Sequence, residues 1–143
     1  MSRYRYFRPE IIKSYNSNGI EVHEILEIEK QLKTTFPKAY FEFLELMGKS
    51  NSIFMGLDHS IHELTQYRGG LETILYQNFG DDGLGLLKST DIVFLSSQGV
   101  TYYYISSIEG HNPPVYYACE THHELKRYKS HDSFTDFVMS KTK

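Results

Sequence analysis

From Val22 onward, Val22, Ile25, Leu26, Ile28 and Leu32 recur at three- and four-residue intervals, with Glu24, Glu27, Glu29, Lys30 and Gln31 between them. That spacing predicts an amphipathic helix. Thr34-Thr35-Phe36 interrupts the pattern. Pro37 suits the first turn of a second helix, where its missing N–H would have no intrahelical partner. Tyr40, Phe43, Leu44 and Met47 give this second helix its apolar stripe, and Gly48 is expected to end it in the left-handed conformation.

Beyond Gly48 the period changes. Ser52 to Leu57 and Ile61 to Leu64 read as short strands around an Asp58-His59 turn, Leu71 to Phe79 as a short helix, and Gly80-Asp81-Asp82-Gly83 as a loop. Asp91 to Ser96, Gly99 to Ser106 and Pro114 to Glu120 are rich in β-branched and aromatic residues and predict three strands, the first two close enough for an antiparallel hairpin. Ser133-Phe134-Thr135-Asp136 is an S-x-x-D capping pattern that opens a last helix, with Phe134, Phe137 and Val138 on its apolar face. The fold class is α+β: an N-terminal helix pair, a central mainly antiparallel sheet and a C-terminal helix. The chain shows neither a repeat nor a linker, which predicts one domain over residues 1–143, its first 18 residues a terminal arm or strand. Arg3, Arg5 and Arg8 alternate there with Tyr4, Tyr6 and Phe7.

Composition narrows the function classes. The 143 residues carry a formal charge of −3, so no global field favours a polyphosphate, and nucleic acid is not an expected partner. The longest apolar runs, such as Ile92-Val93-Phe94-Leu95, fall far short of the ~20 residues needed to cross a bilayer, so no membrane partner is expected. Charges at alternate positions of the N-terminus do not suit a secretory leader. A single cysteine, Cys119, and no Asn-x-Ser/Thr acceptor fit a reducing cytosol, and a cytoplasmic location is expected. Twelve Tyr and nine Phe imply that rings carry much of the burial.

Candidate chemistry is sparse. Tyr102-Tyr103-Tyr104 and Tyr116-Tyr117 could form an aromatic platform, but alternation along a strand sends at least one group into the core. His59 with His62, and Cys119 with His122, His123 and His131, are the metal-ligand candidates. Neither set has the spacing of a common zinc site, and exposed loop histidines are the expected outcome. Asp58, His59 and Ser60 are adjacent, and adjacent side chains diverge instead of forming a relay. Cys119 lies within an apolar strand and reads as a small buried hydrophobe. No catalytic residue, metal or cofactor is expected, and the acidic Asp81-Asp82 turn would suit a basic partner.

The order of these motifs resembles a known family. Ile25 to Leu32, then Phe36-Pro37-x-x-Tyr40-x-x-Phe43-Leu44 and Gly48, resemble the opening signature of the SUKH superfamily: a Glu-containing helix, L-P-x-x-Y-x-x-F-L and a glycine. Phe94 to Gly99, Pro113-Pro114-Val115-Tyr116-Tyr117 and Ser133-Phe134-Thr135-Asp136-Phe137 are similar to later segments of bacterial members, so the likeness spans about residues 22–138. It implies an α+β fold in which Phe36, Pro37, Tyr40, Phe43, Leu44, Gly48, Pro114, Val115, Tyr116, Ser133, Phe134 and Phe137 serve packing and turns. It also implies a non-enzymatic, protein-binding role, with a toxin domain as partner for an immunity protein. The alternatives are a regulatory scaffold of the Smi/Knr cell-wall type and, further off, a small hydrolase or metalloenzyme. Carboxylates beside rigid rings suit steering and anchoring, which nominates Asp81, Asp82, Tyr104, Glu109, Tyr116 and Glu120 as the partner surface.

Overall fold

The computed structural model describes residues 4–142, so Arg3 of the basic-aromatic run lies outside the described residues. Six helices, α1 (Pro9–Ile12), α2 (Val22–Leu32), α3 (Lys38–Met47), α4 (Leu64–Phe79), α5 (Asp81–Leu84) and α6 (Phe134–Ser140), surround a meander of β1 (Asp91–Ser97), β2 (Thr101–Ser106), β3 (Val115–Cys119) and β4 (Tyr128–His131). The four strands pair antiparallel in chain order. The fold is α+β, as expected.

The two sheet faces bury different helices. On one side, α4 approaches so closely that a Cβ at Gly70 would collide with the Tyr102 hydroxyl. On the other, α3 and α6 build an aromatic core: Tyr40, Phe43 and Phe94 lie 5.4–5.6 Å, centroid to centroid, from Phe134, and Tyr40 lies 5.8 Å from Phe94. A bulge at Phe94, between Val93 and Leu95, lets consecutive residues of β1 be buried. Ser133 caps α6 by accepting a bond from the Asp136 amide at 3.1 Å, as the S-x-x-D pattern predicts.

Several expected elements differ. Residues 52–57 form turns and residues 61–63 a 3-10 turn, not strands; consecutive burial of Ile53 and Phe54 breaks the alternation, and Asn51 Oδ1 accepts from the Phe54 amide at 2.7 Å. The helix expected from Leu71 begins at Leu64, its stripe of Leu64, Tyr67, Leu71, Ile74 and Leu75 running through Gly69-Gly70. Residues 81–84 are a helical turn instead of an open loop. Gly48 is right-handed, with φ −68°, not left-handed; a Cβ there would stand 2.8 Å from Leu44 backbone atoms. Strand β4 was not expected, because Tyr-Lys-Ser-His is a polar edge sequence.

The described part of the N-terminal segment, residues 4–18, is neither a free arm nor an edge strand. Phe7 is buried against Phe134, and the amides of Arg5, Tyr6 and Phe7 all donate, at 2.7 Å, to the buried Glu42 carboxylate. Cys119 is half-buried at the end of β3, its Sγ 3.2 Å from Thr121 Oγ1, so it is not the core hydrophobe its strand suggested.

Candidate functional site: a groove along helix α2

Helix α2 follows from its 3.6-residue apolar period, yet of its eleven residues only Ile25 is buried. Its Ile28–Leu32 side faces the segment 58–68 across a groove. The wide end, about 600 Å³, is lined by Ile20, Glu21 and Glu24 on the α2 side and by Asp58, Glu63 and Tyr67 opposite. The groove continues as a narrower waist of about 140 Å³ between Ile28 and Leu32 on α2 and Ile61 and Leu64 across from them. It then opens again, about 270 Å³, where Leu32 and Leu64 meet Arg68, Ile92 and Val93. A polar contact crosses it: His62 Nε2 and Glu24 Oε2 are 2.8 Å apart, and both side chains are substantially exposed.

Charge is uneven along this groove. Among the described residues of the wide end, Glu21, Glu24, Asp58 and Glu63 stand against one lysine, Lys49. At the far end the Arg68 guanidinium is committed to the Asp91 and Lys88 carbonyls, 3.1 Å each. The Tyr67 hydroxyl accepts from the Ser60 amide at 2.9 Å and donates to Glu63 at 3.2 Å; burial, the largest influence, pushes the phenol up to about 12. The wide end therefore offers hydrogen-bond acceptors and negative charge, while Ile28, Leu32 and Leu64 line the stretch beyond it.

Asp58, His59 and Ser60 form no relay. The His59 ring packs edge-on against Phe54 and Phe43, its Nε2 is 3.5 Å from Asn51 Nδ2, and burial lowers its pKa. Ser60 instead caps the 3-10 turn, accepting from the His62 amide. His59 is half-buried, not an exposed loop histidine, and so are His122, which stacks on Tyr128 at 3.7 Å, and His131, which lies on β4 edge-on to Phe137. Among the described residues, no group of three or more His, Cys, Asp or Glu is placed to hold a metal ion.

The residues nominated from sequence lie elsewhere. Tyr104, Tyr116 and Glu109 do come together, around Arg127: its guanidinium binds both Asp91 carboxylate oxygens at 2.7 and 3.1 Å and lies over the Tyr116 and Tyr104 rings. Tyr116 donates to Glu109 at 2.9 Å. Tyr104 is buried, 3% exposed, its phenol pushed up to about 12 mainly by that burial. It cannot serve as a surface ring, which corrects the nomination: a strand carrying three consecutive tyrosines sends Tyr102 and Tyr104 inward and leaves Tyr103 half-buried. Asp81 and Asp82 are exposed on α5, and Glu120 is exposed just beyond β3.

The sequence model of the SMI1 / KNR4 family (SUKH-1) matches residues 19–140. The chain belongs to this family. Among curated proteins, none matches it. The SUKH-1 match begins at Gly19, whose Cβ position is filled by the Glu45 carbonyl, and it takes in both walls of the groove. The SUKH-like signature residues Phe36, Tyr40, Phe43, Leu44, Val115, Phe134 and Phe137 are all buried, so they hold the fold and leave the groove to other side chains. Glu21, Glu24, Asp58 and Glu63 escaped sequence reasoning because they converge from segments nearly 40 residues apart; the one signal was a glutamate-rich helix with little core behind it.

Proposed function

We propose that this SUKH-1 domain is a non-enzymatic binding module of the immunity type, which neutralises a cognate toxin domain by stoichiometric occlusion and uses the α2 groove as its docking face. The observation that carries this reading is the groove itself: a long concavity with an acidic wide end and a waist lined by Ile28, Leu32 and Leu64, beside Ser60, which caps a 3-10 turn, and His59, whose ring packs against Phe54. Family membership supports a domain that binds other proteins. The full-length protein, mixed with purified products of neighbouring genes, should capture one of them. Titrated against that partner's toxic activity, it should abolish activity at a fixed molar ratio. Protection at strongly substoichiometric amounts would make it an enzyme; capture with the partner's activity intact would make it a scaffold.

A further inference from the structure

Helix α2 leaves more apolar surface outside than its pattern promised. Leu32 is 39% exposed, and with Ile28, Ile61 and Leu64 it forms the waist of the groove. At ~1.5 Å per residue the eleven residues of α2 make a wall about 16 Å long. That length matches five residues of an extended peptide at ~3.3 Å each, or about three turns of helix. Four carboxylates, Glu21, Glu24, Asp58 and Glu63, flank the widest part of the groove; Asp91, at the far end, is already bound by Arg127.

We propose, building on the docking role just assigned to the groove, that its occupant is a segment of a partner protein with a cationic side chain, arginine or lysine, followed by apolar ones. The cation enters the wide end between Glu21, Glu24, Asp58 and Glu63, and the apolar side chains fill the waist against Ile28, Leu32 and Leu64. Charge complementarity argues for this direction, because a cation at the other end would meet Arg68, and the carboxylate there, Asp91, is already neutralised by Arg127. It also argues against an acidic occupant, which would face four carboxylates against Lys49. The Glu24–His62 contact spans the two walls and is displaced as the cation takes Glu24. Because both partners are exposed, opening it costs little. Since α2 reaches the core only through buried Ile25 and half-buried Ile28, a small outward shift of the wall leaves the aromatic core packed.

The test uses the ¹⁵N-labelled protein titrated with two capped hexapeptides, one with a single leading arginine followed by alternating leucine and serine, the other with glutamate in place of that arginine. Amide shifts of residues 21–32 and 58–65 should saturate with the first peptide at low salt and weaken at least fivefold when salt is raised to 0.3 M. The second peptide should leave them unmoved. The double variant Asp58→Asn, Glu63→Gln should weaken the first peptide at least fivefold at unchanged Tm, and Leu32→Ser should weaken it without altering the salt dependence. Equal response to both peptides, shifts centred on Asp81 and Asp82, or no response at millimolar peptide would overturn the assignment. A partner neutralised equally well by the double variant would overturn this inference and leave the immunity reading standing; a partner captured but never neutralised would do the reverse.

Discussion

Helices α2 and α3 have similar apolar periodicity in sequence and opposite fates in the fold. Six of the ten residues of α3 are buried, and Tyr40 and Phe43 touch rings from α6 and the sheet. α2 buries Ile25 and leaves Val22, Leu26 and Leu32 between 38 and 52% exposed. Periodicity therefore states which face of a helix prefers the interior, while the amount of interior available is decided by what packs opposite. α3 faces an aromatic layer on its sheet side; α2 faces a groove. The first is a structural element and the second is a wall whose apolar side chains are free to meet something else.

The sharpest way to break this comparison is Phe43→Ala. Removing a fully buried ring should cost about 3–5 kcal/mol, and the Tm should fall by roughly ten degrees or more. A midpoint unchanged from the parent would show that α3 is not the structural partner of the pair.

Ile25→Ala comes next, at about 2 kcal/mol, the low end for such a truncation because α2 can detach locally. Hydrogen exchange should quicken across residues 22–32 while β1 and β2 keep their protection. Equal acceleration in α3 would mean that the two helices unfold as one unit.

A smaller effect concerns pH. Burial lowers the His59 pKa below its ordinary 6.5 in the folded protein, so below that pH the unfolded chain takes up a proton that the folded ring resists. Stability should be full above about pH 6.5 and decline as pH falls from there towards the depressed folded value. Comparing denaturant midpoints at pH 7.5 and 5.5, His59→Gln should lose less on acidification than the parent. An equal loss in both would move the acid sensitivity to another group.

The smallest change is Leu26→Ser, expected to alter stability by no more than about 0.5 kcal/mol despite replacing a large apolar residue. A loss above 1 kcal/mol in chemical denaturation would show that α2 is buried in solution by some contact beyond those of the fold.

The sequence made α3 legible because Tyr40, Phe43, Leu44 and Met47 form one stripe and the core opposite them is real. It made three strands and the α6 cap legible for the same local reasons. It hid half of α4, because the Gly69-Gly70 pair reads as a break, whereas Gly70 is small to admit the Tyr102 hydroxyl. It hid β4, a strand with one neighbour and little to bury. The groove was illegible in principle, since its walls come from residues 20–32, 58–68 and 91–93 and their meeting is a tertiary event. Tyr104 illustrates the same limit at one residue: the alternation rule established that tyrosines would divide between two faces, but not which face lay beneath α4.

Glu42 carries a consequence for where this domain starts. The family match begins at residue 19, yet a carboxylate well inside it is satisfied by amides at positions 5, 6 and 7. A chain trimmed to the homologous region would leave that carboxylate without these donors and would uncover the surface on which Phe7 and Ile12 now sit. The physical unit of folding thus reaches further towards the N-terminus than the unit of descent. For protein production, residues 5–12 are to be kept with the domain, although they precede the family match.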